Sequence, residues 1–113
     1  MAHLSAAVEA GNTIYLSGAL AFTPNGTISD GDAATQTRMV LESLEALLKA
    51  KGLDRSAIVK TTVWLIDRGD FPAFNHAYAE FFGAHRPARA TTICELALPG
   101  ALVEIEAVAH RPG

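Results

Sequence analysis

Between residues 32 and 51 the apolar positions recur with a helical period. Val40, Leu41, Leu44, Leu47 and Leu48 share one face, and Arg38, Glu42, Glu45 and Lys49 share the other. Asp32 stands where an N-cap is needed, Lys49 and Lys51 approach the negative end of the helix, and Gly52 is a natural terminator. A second helix is predicted over Phe71–Phe82, capped by Asp70, with Pro72 in its first turn and Gly83 at its end. Its repeat of Phe71, Phe74, Tyr78, Phe81 and Phe82 reads as a core stripe.

The remaining segments change to a strand pattern. Residues 6–9 and 13–17 form a predicted hairpin around Ala10-Gly11-Asn12, and Pro24-Asn25-Gly26 marks a further turn. Residues 58–66 are dense in β-branched side chains with apolar groups on both parities, which predicts a strand covered on both faces. Strands at 90–96 and 102–109 meet around Pro99-Gly100. The order is ββαβαββ, with two helices on one face of a mixed sheet, an α+β arrangement. Nothing repeats and no low-complexity linker divides the chain, so residues 1–113 read as one domain. Two helices cover one sheet face, and self-association is the simple way to cover the other.

Composition narrows the function classes. A chain of 113 residues removes roughly two-thirds of its extended surface from water on folding, and 50% hydrophobic with 19% charged residues argues against disorder. A formal net charge of −3 without any Lys/Arg cluster disfavours nucleic-acid binding. No apolar stretch approaches the ~20 residues that span a bilayer, so no membrane partner is expected. The lone Cys94 excludes an internal disulfide, and the opening residues lack a signal-peptide pattern, which together predict a cytoplasmic location.

The chemistry concentrates near the C-terminus. In Arg86-Pro87-Ala88-Arg89 the proline places Arg89 where a turn feeds a strand, presenting a planar fork of donors suited to a carboxylate or phosphate. Fifteen residues later Glu104 offers a proton acceptor or a means to orient water. Arg89 and Glu104 together outline a site for a small anionic substrate. Glu104 and Glu106 point to the same side of their strand, and Glu106 has no assigned role. His3, His76, His85 and His110 lack metal-ligand spacing, no glycine-rich phosphate loop is present, and neither metal nor cofactor is expected. Cys94 reads as a buried structural cysteine and Trp64 as a core or interface residue.

Five collinear segments resemble the YjgF-type reactive intermediate deaminase (Rid) family, also described as endoribonuclease L-PSP-like. They are Ser17-Gly18 after an apolar strand, Val59-Lys-Thr-Thr-Val63, Asp70-Phe-Pro-Ala-Phe-Asn75, Arg86-Pro-Ala-Arg89 and Val103-Glu-Ile-Glu-Ala107. The resemblance implies a chorismate-mutase-like fold, a homotrimer with clefts between subunits, and cofactor-free hydrolytic deamination of small 2-imino or 2-enamino acids to 2-keto acids and ammonia. It implies that Arg89 holds the substrate carboxylate and that Glu104 positions or activates water. Ser17, Gly18 and Asn75 would line the cleft, Trp64 aligns with a family aromatic near the pocket, and Thr91 stands where many relatives carry a cysteine, its backbone still able to hold a water or substrate atom. The Gly-Pro-Tyr segment of relatives is replaced by Ala2-His3-Leu4, so its substrate-touching tyrosine is missing. A second class stays open: a non-catalytic module that binds a keto acid in the same cleft. A ribonuclease role needs a basic surface and an activated nucleophile, and the sequence shows neither.

Overall fold

The computed structural model describes residues 2–113. Its elements in chain order are β1 (Ala7–Ala10), β2 (Thr13–Ala19), α1 (Ala33–Lys49), β3 (Ile58–Leu65), α2 (Phe71–Phe82), β4 (Ala88–Ile93) and β5 (Val103–His110). The strands form one sheet in the order β1-β2-β5-β3-β4, antiparallel throughout except for the parallel pair β3 and β4. This is the expected ββαβαββ arrangement with a mixed sheet. A parallel pair needs a crossover, and α2 supplies it.

Both helices lie over one sheet face. α1 packs on β2 and β5 and against α2, and the core gathers Val40, Leu41, Leu44 and Leu48 of α1 with Phe74, Tyr78 and Phe82 of α2 over Ile14, Leu16, Val63, Leu65, Val103 and Ile105. Asp32 caps α1 as expected, its side chain accepting from the Thr35 N–H at 2.9 Å. Past the last turn Gly52 takes φ +78°, and the Leu53 N–H returns to the Leu48 carbonyl at 2.9 Å. Gln36, buried in the first turns of α1, donates to the carbonyls of Ser29 and Gly100 and accepts from the Leu102 N–H. One amide thereby pins two loops and fixes where β5 begins, one residue before Glu104.

Four expectations change. Glu45 does not join the solvated face of α1: it is buried and bonded to the Arg55 guanidinium at 3.0 and 2.7 Å and to the Arg55 N–H at 2.9 Å. The chain folds back after Gly52, so the partner comes from outside the helix, where periodicity does not look. Asp70 makes no side-chain cap bond; Asp67 opens a short turn at Arg68–Asp70 that runs into α2, accepting from the Gly69 N–H at 2.8 Å. Phe71 is exposed, leaving the core stripe to Phe74, Tyr78 and Phe82. Within one protomer the strand at 58–66 is covered on one face only. Ile58, Thr61, Val63 and Leu65 are buried beneath the helices, whereas Val59 and Ile66 are exposed and Thr62 and Trp64 half-buried.

Candidate functional site

Arg89 stands near the start of β4, opposite Thr61 of β3. Thr61 faces the helices, its hydroxyl 2.7 Å from the Tyr78 hydroxyl, so Arg89 shares that face. Its guanidinium carbon lies 4.8 Å from the ring centroid of Tyr78, 5.3 Å from Phe74 and 5.8 Å from Phe71. The aromatic stripe of α2 thus serves as a bed for the cation as well as core. Burial raises the Tyr78 hydroxyl pKa, only partly offset by its bond to Thr61 and the charge of Arg89. Among the described residues Arg89 has no ion pair or side-chain hydrogen bond. Its donors face a pocket of about 550 Å³ lined also by Asn75, His85 and Arg86. A stacked arginine with free donors in a cavity is built to take an anion.

Glu104 sits on the other face. It pairs with Trp64 of β3, three residues beyond Thr61, and so points away from the helices. A pocket of about 210 Å³ lies beside it, lined by Trp64, Cys94, Glu95, Leu96 and Ala97. Burial first, and then the charge on Glu106, push the Glu104 carboxyl above the usual glutamate range. β2 makes room for that carboxylate with a bulge. Leu16 faces Ala107 and Ala19 faces Ile105, so Ser17 and Gly18 together oppose the single residue Glu106. A Cβ on Gly18 would collide with Oε2 of Glu104.

The structure therefore brings Asn75 to Arg89 and Gly18 to Glu104. It does not bring Arg89 to Glu104. The two lie on opposite faces, on strands separated by β3, and within one protomer they form no common site. Ser17 is occupied structurally: its hydroxyl donates to the Ser5 carbonyl at 2.6 Å and its N–H to Ala6, holding the N-terminal segment against β2. Thr91 is half-buried opposite Val63, on the side of Arg89 but outside the arginine pocket. Cys94 is only half-buried, on the Glu104 pocket wall with Trp64. Sequence reasoning missed the groupings of Cys94 with Glu104 and of Tyr78, His85 and Arg86 with Arg89. Only the Arg86-x-x-Arg89 spacing signalled the last of these.

No cluster of three His, Cys, Asp or Glu side chains able to hold a metal occurs among the described residues. No described helix is long and apolar enough to cross a membrane.

The sequence profile described as Endoribonuclease L-PSP matches residues 1–111. A RutC family protein of Pyrococcus horikoshii is 40% identical over 95% of this chain and 86% of its own. The 3-aminoacrylate deaminase RutC of Acinetobacter baylyi is 41% identical over 92% and 83%. The chloroplastic Reactive Intermediate Deaminase A of Arabidopsis thaliana is 42% identical over 93% of this chain and 57% of its own length. Among solved structures, the YjgF gene product of Escherichia coli superposes with a TM-score of 0.88 at 36% identity, covering 97% of this chain and 89% of the other. Escherichia coli TdcF with bound serine gives 0.89 at 32% identity over 99% and 91%. The chain belongs to the YjgF-type reactive intermediate deaminase family, the family described as Endoribonuclease L-PSP.

Proposed function

We propose that this protein is a cofactor-free deaminase that hydrolyses small 2-imino or 2-enamino acids to 2-keto acids and ammonia. The observation that carries the reading is Arg89, stacked on α2 with its donors free in a pocket beside Asn75. The names of the Acinetobacter and Arabidopsis relatives support the same chemistry. Arg89 clamps the substrate carboxylate bidentately, which fixes the imine carbon in space.

Water then attacks that carbon. As the new C–O bond forms, the Glu104 carboxylate takes a proton from the water, and the electrons of the C=N bond move to nitrogen. The same carboxyl returns the proton to nitrogen, giving a carbinolamine; it then takes the hydroxyl proton and passes it to the nitrogen, so that the C=O double bond forms as the C–N bond breaks, and ammonia leaves the keto acid. A carboxyl held above its usual pKa is suited to both halves of this relay. Imines are electrophilic, so positioning supplies most of what is needed.

Because Arg89 and Glu104 face opposite ways in one protomer, the working site lies between copies of the chain. One protomer contributes Arg89, Asn75 and Thr91, and its neighbour contributes Glu104 with the Ser17-Gly18 bulge. The sheet face carrying Glu104 also exposes Val8 and Tyr15 and half-exposes Trp64 and Val108, apolar surface that a homotrimer covers.

The test is ammonia release from a freshly generated 2-imino acid, followed against the spontaneous rate. Acceleration proportional to protein concentration is expected. Binding of the corresponding keto acid without acceleration would replace the enzyme by a ligand-binding module that uses the Arg89 pocket alone.

A further inference from the structure

Arg86 and Arg89 line the same 550 Å³ cavity with Asn75 and His85, and no aspartate or glutamate is among its lining residues. Neither guanidinium has an ion pair or side-chain hydrogen bond among the described residues, whereas Arg55 is tied to Glu45 and Arg111 to Glu9. In a chain of formal charge −3, two arginines three residues apart thus face one space that no carboxylate of their own protomer neutralises. Their relative placement is set by rigid parts. Pro87 fixes the backbone between them. His85 is anchored with Nε2 2.7 Å from the Ile58 carbonyl and its ring 5.9 Å from that of Phe82. Arg89 is half-buried and Arg86 exposed, so the second cation stands nearer the mouth. A volume of 550 Å³ exceeds what a lone carboxylate and its imine carbon fill, and falls within the ~300–1,000 Å³ of pockets that enclose whole ligands.

We infer that the substrate class is dianionic: a 2-imino or 2-enamino acid with a second carboxylate at the end of its side chain, which Arg86 receives while Arg89 holds the first. Arg86 is then a specificity-determining residue. The imine part rests on the function proposed above, but the dianion site itself does not require turnover.

Two measurements keep these apart. In the first, 2-iminoglutarate and 2-iminobutanoate are generated in situ from glutamate and 2-aminobutanoate by an amino-acid oxidase, and kcat/KM is compared. In the second, calorimetry compares the affinities for 2-oxoglutarate and 2-oxobutanoate. Wild-type protein is expected to favour the dianion in both, and Arg86→Gln to reduce that ratio by about tenfold or more, the effect of one charge-assisted hydrogen-bonded pair. A dianion preference in binding that Arg86→Gln abolishes, without any imine hydrolysis, upholds the site and removes the deaminase. Ratios that Arg86→Gln leaves within about twofold of wild type in both measurements overturn the inference.

Discussion

Gly18 and Glu104 compete for one volume: the position a Cβ on Gly18 would take is already filled by the carboxylate of Glu104. The glycine needs no unusual φ, since its backbone is not among those with positive values. Its role is to be empty. The bulge that opposes Ser17 and Gly18 to Glu106 aims this emptiness at the acid.

Gly18→Ala is expected to displace the carboxylate and leave the fold standing, because the atom it meets is the tip of a flexible side chain. Urea unfolding of this variant should show a change within about 1 kcal/mol, while kcat/KM for imine hydrolysis drops at least tenfold, as about 1 Å of misplacement can cost more than that. Full activity with an added methyl group would show that Glu104 can work elsewhere.

The raised pKa of Glu104 makes two pH statements. The proposed mechanism uses the carboxylate form of Glu104, so kcat/KM should rise with pH through a value above the ordinary glutamate range, and Glu106→Gln, by removing a like charge, should move that limb to lower pH. For stability the sign is opposite to the usual carboxylate. The folded state binds this proton more tightly than the unfolded chain, so folding is penalised above the folded pKa and the penalty fades as pH falls towards the unfolded value. Glu104→Gln should therefore be no less stable than wild type at pH 7 while losing about 10²-fold or more in turnover. Paired urea titrations and rate profiles check both.

Glu45 and Arg55 behave the conventional way. Arg55 holds Glu45 below the usual range by its hydrogen bonds, stacks 3.8 Å from the Phe81 ring and donates to the Phe81 carbonyl, joining α1 to α2. Arg55→Ala leaves a buried carboxylate without its partner and should cost about 2 kcal/mol at neutral pH, discounted from the value for fully buried pairs because Arg55 is partly exposed. The Glu45 contribution is present above the unfolded glutamate pKa and lost as pH falls through the depressed folded value, so the gap between variant and wild type should narrow in acid. A pH-independent gap in denaturant midpoints would assign the loss to packing on Phe81 instead.

The helices and their order were legible because their signals are local: the spacing of Val40, Leu41, Leu44 and Leu48, the Asp32 cap, and Gly52 and Gly83 at the ends. Arg89 was legible for a similar reason, since Pro87 announces a strand start. The relation of Arg89 to Glu104 was not. It depends on a register across three strands, Thr61 opposite Arg89 and Trp64 opposite Glu104, set by pairing between segments far apart in the chain. A single added residue exchanges the faces, and nothing in the adjacent sequence announces it. Glu45 and Gln36 escaped for a related reason, because their partners Arg55, Gly100 and Leu102 come from other segments.

Mixed oligomers distinguish a hydrolytic site shared between copies of the chain from one contained in a single copy. Arg89→Lys keeps the charge but loses the fork, and Glu104→Gln keeps the shape but loses the base, so each alone should be nearly inactive. Refolded together in equal amounts and assembled at random into the proposed trimer, the two variants should place an intact Arg89 beside an intact Glu104 in about a quarter of the clefts, each cleft being built from neighbouring protomers. Recovery of imine hydrolysis to about that fraction of the wild-type rate is the predicted result. A mixture no more active than either variant alone would contradict it.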